Sequence, residues 1–206
     1  MDSIFDTAKP RLSDKELFTK IWTAPRQVFH YLEDYNYNKY TTILLVLTGV
    51  FSALNQQLAD ALKAGHYLDQ ALPWAAGFAL AGYLFSYLYA AAIKWTGRWL
   101  GASGSTKSLL RMVAFSQMPS MLCLGMAAIL ELYLGQQIKQ PGISHFLSHQ
   151  LPTTLGFVGS GWTFVLEIIG VMTLQKLPLG KAVLNVFLPF ILVILPIAVI
   201  YALVLY

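Results

Sequence analysis

Glu167 is the residue of this chain whose surroundings most demand a chemical reason. It stands inside an otherwise apolar run, Thr154–Gln175, where Gly156, Ser160, Thr163, Glu167 and Gly170 recur at helical spacing. A stripe of small and polar residues belongs against other helices rather than against hydrocarbon. A carboxylate at such depth costs about 2.5–3.5 kcal/mol on insertion scales, so it requires a partner or a proton. The sequence offers Gln117, Asn185 and Arg111 as partners, and Glu167, Gln117 and Asn185 form a candidate intramembrane polar site. Two roles stay open, a proton or ion site and a helix-to-helix hydrogen bond that fixes packing. With no second acidic residue placed beside it, packing is the expected role. Glu131, near the far end of the preceding apolar run, is expected at a wetted interface, away from Glu167.

The remaining chemical candidates are weaker. His145 and His149 stand four residues apart in HFLSH, and on a helix both rings would face one way and could bind a metal. No third ligand is evident, since His66 is far along the chain, so neither a metal nor any other cofactor is expected. Gly101-Ala102-Ser103-Gly104 matches the GxSG pattern of intramembrane serine proteases. A nucleophilic Ser needs a base within hydrogen-bond reach, and no His lies in an apolar run to supply one. Phosphate-binding, dinucleotide-binding and HExxH patterns are also missing. The single cysteine, Cys123, lies within an apolar run, can form no intrachain disulfide and reads as an inert thiol. The expectation is a protein that is not an enzyme.

The elements that must position these residues are apolar helices. Five long stretches stand out: Tyr40–Leu58, Leu72–Ile93, Leu109–Leu134, Thr154–Gln175 and Ala182–Tyr206. About 20 helical residues cross a hydrocarbon core, so each stretch is long enough to span alone. The chain is 56% hydrophobic and only 12% charged, about half the charged fraction usual in soluble domains. Lys and Arg alternate around the stretches. Lys9, Arg11, Lys15, Lys20, Arg26 and Lys39 precede the first, Lys94, Arg98, Lys107 and Arg111 surround the second connection, and Lys176 and Lys181 lie in the fourth. Only Lys63 and Lys139 fall on the other side. Cytoplasmic loops retain basic residues, so this asymmetry predicts an inside N-terminus and an outside C-terminus. The predicted fold class is an all-α polytopic membrane protein with five transmembrane helices and a short N-terminal amphipathic interfacial helix. The pI near 9.1 therefore indicates anionic lipid headgroups on the cytoplasmic face, not nucleic acid. No secretory leader is read in the first 39 residues, so the first span is expected to serve as an uncleaved insertion signal.

Residues 1–39 are expected to be a cytoplasmic tail with the interfacial helix, and 40–206 the five-helix membrane domain. Ser13-Asp14-Lys15-Glu16 reads as a capping box. Beyond it Leu17, Phe18, Ile21, Trp22, Val28, Phe29 and Leu32 follow helical spacing, interrupted at Pro25, so two short helices are expected. Flanking Lys15, Lys20 and Arg26 suit an apolar face laid into lipid. The alternative is that this face packs under the bundle. In the second stretch Ala75, Ala79, Gly82, Ser86 and Ala90 share one face suited to close helix packing. In the fifth, Pro189 and Pro196 each free a carbonyl four residues back.

Residues Trp95–Gly135, with the Gly101-Ala102-Ser103-Gly104-Ser105 turn, Leu109–Arg111 and Ala114-Phe115-Ser116-Gln117-Met118-Pro119, resemble the central signature of the Yip-one domain family. Trp162–Ala182, ending Leu177-Pro178-Leu179-Gly180-Lys181-Ala182, is similar to that family's next span and inner loop, and Phe18–Phe29 with Pro25 resembles its N-terminal approach. The resemblance covers nearly the whole chain. It implies five spans, a cytosolic N-terminus and no catalytic residues. Eukaryotic relatives are associated with Rab GTPases and vesicle membranes, but they usually carry a much longer N-terminal region, so that role does not carry over. The compact form resembles bacterial members, which implies the inner or plasma membrane.

The expected function is thus a non-enzymatic scaffold or adaptor that organises or shapes the bilayer or recruits a protein partner or a second copy of itself, in contact with anionic lipid. The alternative is a small proton, ion or solute channel or transporter that uses Glu167.

Overall fold

The computed structural model describes residues 11–53, 71–134, 146 and 150–205, all helix, turn or short connection. Its helices are α1 (Asp14–Thr23), α2 (Pro25–Asp34), α3 (Thr41–Ala53), α4 (Ala71–Trp99), α5 (Thr106–Ser116), α6 (Met118–Leu134), α7 (Leu151–Gln175) and α8 (Leu179–Leu205). Among the described residues, four stretches are long and apolar enough to cross a membrane: Ala75–Trp99, Thr106–Leu130, Thr153–Gln175 and Leu179–Leu203. Thr41–Phe51 is a shorter apolar helix within the first predicted span, whose remaining residues lie outside the described ones.

The N-terminal pair forms as its sequence requires. Ser13 Oγ accepts from the Glu16 N–H while Glu16 accepts from the Ser13 N–H at 2.9 Å, closing the capping box. Ala24 ends α1, and Pro25 opens α2 where its missing N–H is harmless. Lipid does not receive the apolar face of this pair. Leu17, Ile21, Val28 and Phe29 are completely buried, and α2 packs on α5 and α7. The expectation of an apolar face laid in the membrane is therefore corrected. The bundle offers side chains of matching shape, among them Phe115 against Phe18, with ring centroids 6.3 Å apart.

The third predicted span falls within the stretch Thr106–Leu130, which is interrupted at Gln117. Pro119 has no N–H for the Phe115 carbonyl, and the chain bends at Gln117 between α5 and α6. Beyond the bend the helices sort into two tight pairs, α3 with α4 and α6 with α7, while α4 and α6 are not closely packed. Backbones touch where α3 crosses α4. A methyl group on Gly49 would sit 2.1 Å from the Phe78 carbonyl oxygen, and one on Gly82 would sit 2.6 Å from Gly49 Cα. The small-residue face of the second stretch is this contact. The C-terminal part of α8 behaves differently. Every residue from Ile191 to Leu203 is exposed, so this segment presents apolar side chains all round, as a lipid-facing helix does.

Gly49→Ala should lower stability by about 1–3 kcal/mol, because the obstacle is backbone and cannot rotate away. Gly77→Ala meets nothing within 4 Å and should leave stability unchanged or slightly improved. Thermal unfolding of the purified protein in detergent compares the two, and equal behaviour would refute the crossing.

Candidate functional site

Three polar constellations lie within the bundle, and each is assembled from several helices. The first is built on Arg111, which is 3% exposed on α5. Its Nε donates to Asn38 Oδ1 at 2.7 Å, Nη1 to the Leu32 carbonyl at 3.0 Å and Nη2 to Asn36 Oδ1 at 3.0 Å. The Leu32 carbonyl lies in the last turn of α2, where carbonyls lack intrahelical partners and a cation is favoured. Asn36 adopts φ 49°, a left-handed conformation that Asn tolerates, and thereby brings its amide to the guanidinium. Arg111 does not reach Glu167, contrary to one sequence-based expectation.

The same turn is fastened to α1 through Asp14. Its carboxylate accepts from Lys39 Nζ, from Tyr37 Oη at 2.6 Å and from Tyr40 Oη at 2.8 Å. The Lys39 contact first, then the two phenols, hold the Asp14 carboxyl down at about 2. Burial and the Asp14 carboxylate push the Tyr37 phenol up, and Asp14 also pushes the Lys39 ammonium up. Glu16 is likewise held at about 2, by the Ser13 N–H and then Lys20.

The second constellation joins Thr96, Gln175 and Asn185, all buried, near the basic end of α4, α7 and α8. Thr96 Oγ1 donates to Asn185 Oδ1 at 2.6 Å, and Asn185 Nδ2 donates to Gln175 Oε1 at 2.6 Å. Gln175 Nε2 reaches the Ile93 carbonyl at 3.4 Å. Asn185 therefore serves a packing network and is not part of the Glu167 site.

The third is Glu167, 3% exposed. It sits eight residues before the end of α7, about 12 Å along the helix axis. Tyr89 Oη donates to Glu167 Oε2 at 2.9 Å, and Gln117 Nε2 lies 3.5 Å from Oε1. Gln117 was expected from the sequence; Tyr89 was not, although it follows Ser86 by three residues and so lies beside the small-residue face of α4. Both donors are neutral. Glu167 lines a cavity of about 170 Å³, open at one side and situated where α4 and α6 diverge. Thr163 also lines it, and its buried Oγ1 has no hydrogen-bond partner among the described residues. Phe85, Phe164 and Phe190 supply aromatic walls.

His145, His149 and His66 lie outside the described residues, as does the Glu131 side chain. Among the described residues no group of three or more His, Cys, Asp or Glu side chains could hold a metal. The fold and these interiors define a multi-pass α-helical membrane protein with polar clusters buried between spans. The chain belongs to the Yip1 domain family, whose domain matches residues 19–200. No curated protein and no solved structure matches it.

Two outcomes test the N-terminal clamp. Arg111→Lys keeps the charge but loses the planar fork, and should cost about 1.5–3 kcal/mol. It should also make the 35–39 turn susceptible to proteolysis; a turn still resistant in this variant would contradict the clamp. A carboxylate whose folded pKa is depressed contributes stability that is fully present above its unfolded value, and that stability is lost as pH falls toward the folded one. For Asp14 that window runs from 3.8 down to about 2. Protection of the α1 amides, relative to their intrinsic exchange rates at each pH, should therefore be constant from about pH 7 to 4 and fall only below. Loss of protection near pH 6 would show that another group governs the clamp.

Proposed function

We propose that this protein is a non-enzymatic membrane scaffold or adaptor that crosses the cell membrane five times with its N-terminus in the cytoplasm. The observation that carries this reading is the platform at the basic end of the bundle. Helices α1 and α2 are not a loose tail. Helix α2 is seated on α5 and α7 and held by Arg111, α1 packs against α2, and both bury apolar side chains completely. The exposed basic side chains Lys15, Arg26, Arg98, Lys107, Lys176 and Lys181 belong to this platform or to the neighbouring helix ends. Lys181 Nζ donates to the Leu100 carbonyl at 3.1 Å, which ties the α7–α8 connection to the end of α4. A fixed basic surface suits recognition of an acidic protein segment, with anionic lipid headgroups at its edge. The same charge distribution supports the cytoplasmic assignment of this end.

The translocation reading is the weaker one. One helical turn beyond the Glu167 cavity toward the basic end, Ile93, Met112, Val171 and Val186 are completely buried apolar residues. A conduit through Glu167 would have to part this layer.

Photo-cross-linkers at Lys107 and Lys176 in native membranes should trap a protein partner or a second copy. Changing both Lys176 and Lys181 to Glu should reduce the yield several-fold. Recovery of monomer alone under several chemistries would overturn the scaffold reading.

A further inference from the structure

The cavity at Glu167 has features that packing does not require. Buried hydroxyls normally find a partner, and leaving one unpaired costs about 1–3 kcal/mol. Thr163 Oγ1 carries that cost on the cavity wall. Among the described residues, Glu167 Oε1 has only the 3.5 Å contact from Gln117. Ser86 Oγ donates to the Gly82 carbonyl at 2.7 Å, so its lone pairs stay available to accept. The lining combines hydroxyls of Ser86, Ser120, Ser160 and Thr163 and the Gln117 amide with one carboxylate, Glu167, and has no Lys or Arg to neutralise it. Around these acceptors stand the faces and edges of Phe85, Tyr89, Phe164 and Phe190, with Tyr89 and Phe190 centroids 5.2 Å apart. Acceptors among aromatic rings favour a cation that donates hydrogen bonds.

We propose that this cavity binds a primary ammonium group, borne by a lipid headgroup or by a small free amine. The ammonium donates to Glu167 Oε1, Thr163 Oγ1 and Ser86 Oγ, and its carbon stem lies against the phenylalanines. The volume of about 170 Å³ limits the occupant to a group of about benzene size, since an apolar cavity of roughly 150 Å³ takes benzene. Exposed Phe85 and Ser160 form the rim, away from the basic end, so the ligand enters from the bilayer or the opposite face. The buried apolar layer beneath Glu167 makes this a closed-ended binding site, and the site is independent of the scaffold reading.

The test uses the full chain in lipid nanodiscs, with propylammonium chloride as probe and propanol and propionate as controls. Propylammonium should raise the thermal midpoint saturably, whereas the controls should not. Glu167→Gln should weaken the response about tenfold or more, as expected for losing a charge-assisted contact. Thr163→Val removes an unpaired hydroxyl, so without ligand it should be as stable as the parent, yet it should weaken propylammonium about threefold to tenfold. Native mass spectrometry separates the two sources. Phosphatidylethanolamine retained over phosphatidylcholine and displaced by propylammonium indicates a headgroup, whereas no retained lipid with an intact propylammonium response indicates a free amine. Equal responses to propylammonium and propanol would overturn the proposal, and so would an undiminished response in Glu167→Gln. Should that variant not fold, undiminished affinity in Thr163→Val overturns it.

Discussion

The guanidinium of Arg111 is the constraint on which the N-terminal third of the fold depends. A buried cation on a membrane-embedded helix is tolerable only when acceptors compensate for its lost hydration. Here the donors reach three oxygens supplied by one turn and one helix end, Asn38, Asn36 and the Leu32 carbonyl. Removing the turn would strand the charge, and removing the charge would leave the Asn36 and Asn38 side-chain oxygens without their guanidinium donors. The two therefore hold each other, and α1 and α2 become part of the bundle. Gly170 shows how tight that seat is. A methyl group there would lie 2.3 Å from Met112 Cγ and 3.3 Å from Phe29, so α2, α5 and α7 meet at a single backbone position.

Close packing at that end is balanced by divergence further along. Pro119 denies Phe115 its usual partner, the chain bends at Gln117, and α6 follows α7 while α4 follows α3. The glycine crossing of α3 and α4 draws that pair together, which leaves space between α4 and α6. Glu167 and Tyr89 sit at the edge of this space, where their hydrogen bond joins α7 to α4. The carboxylate is thus not an isolated defect in a packed core. It lies where the bundle changes from one close-packed arrangement to two helix pairs.

Much of this was legible in the residues. Capping chemistry and Pro25 specify α1 and α2 locally, and hydropathy marks the long helices because lipid tolerates few other backbones. The burial of Glu167 followed from the polar stripe around it. What was not legible depended on relations between helices. The destination of the apolar face of α1 and α2 required knowing that α5 and α7 present a matching surface, and sequence periodicity is the same for lipid-facing and bundle-facing stripes. Tyr89 was missed because a tyrosine in an apolar helix reads as an interfacial residue unless its partner's depth is known. Asn185 was misassigned for a related reason. It shares a face with Pro189, but Thr96 and Gln175 are at its own level, while Glu167 is farther from the helix ends.

That separation bears on what the interior can do. Two polar clusters in one bundle could be steps of one path, with Glu167 leading to Thr96, Gln175 and Asn185. The residues between them argue otherwise. Ile93, Met112, Val171 and Val186 come from four helices and are all completely buried. Thr96, Asn185 and Gln175 are hydrogen-bonded side chain to side chain, at 2.6 Å for both links. Such a cluster has less to offer a passing ion, because a contact to Asn185 Oδ1 or Gln175 Oε1 competes with an existing short bond. Gln175 also closes over Gly97, where a methyl group would lie 2.8 Å from its amide oxygen. This cluster works as a lock that fixes α4, α7 and α8 at the basic end. The less saturated cluster, with an unpaired hydroxyl and a cavity beside it, is the one whose chemistry is left for a ligand.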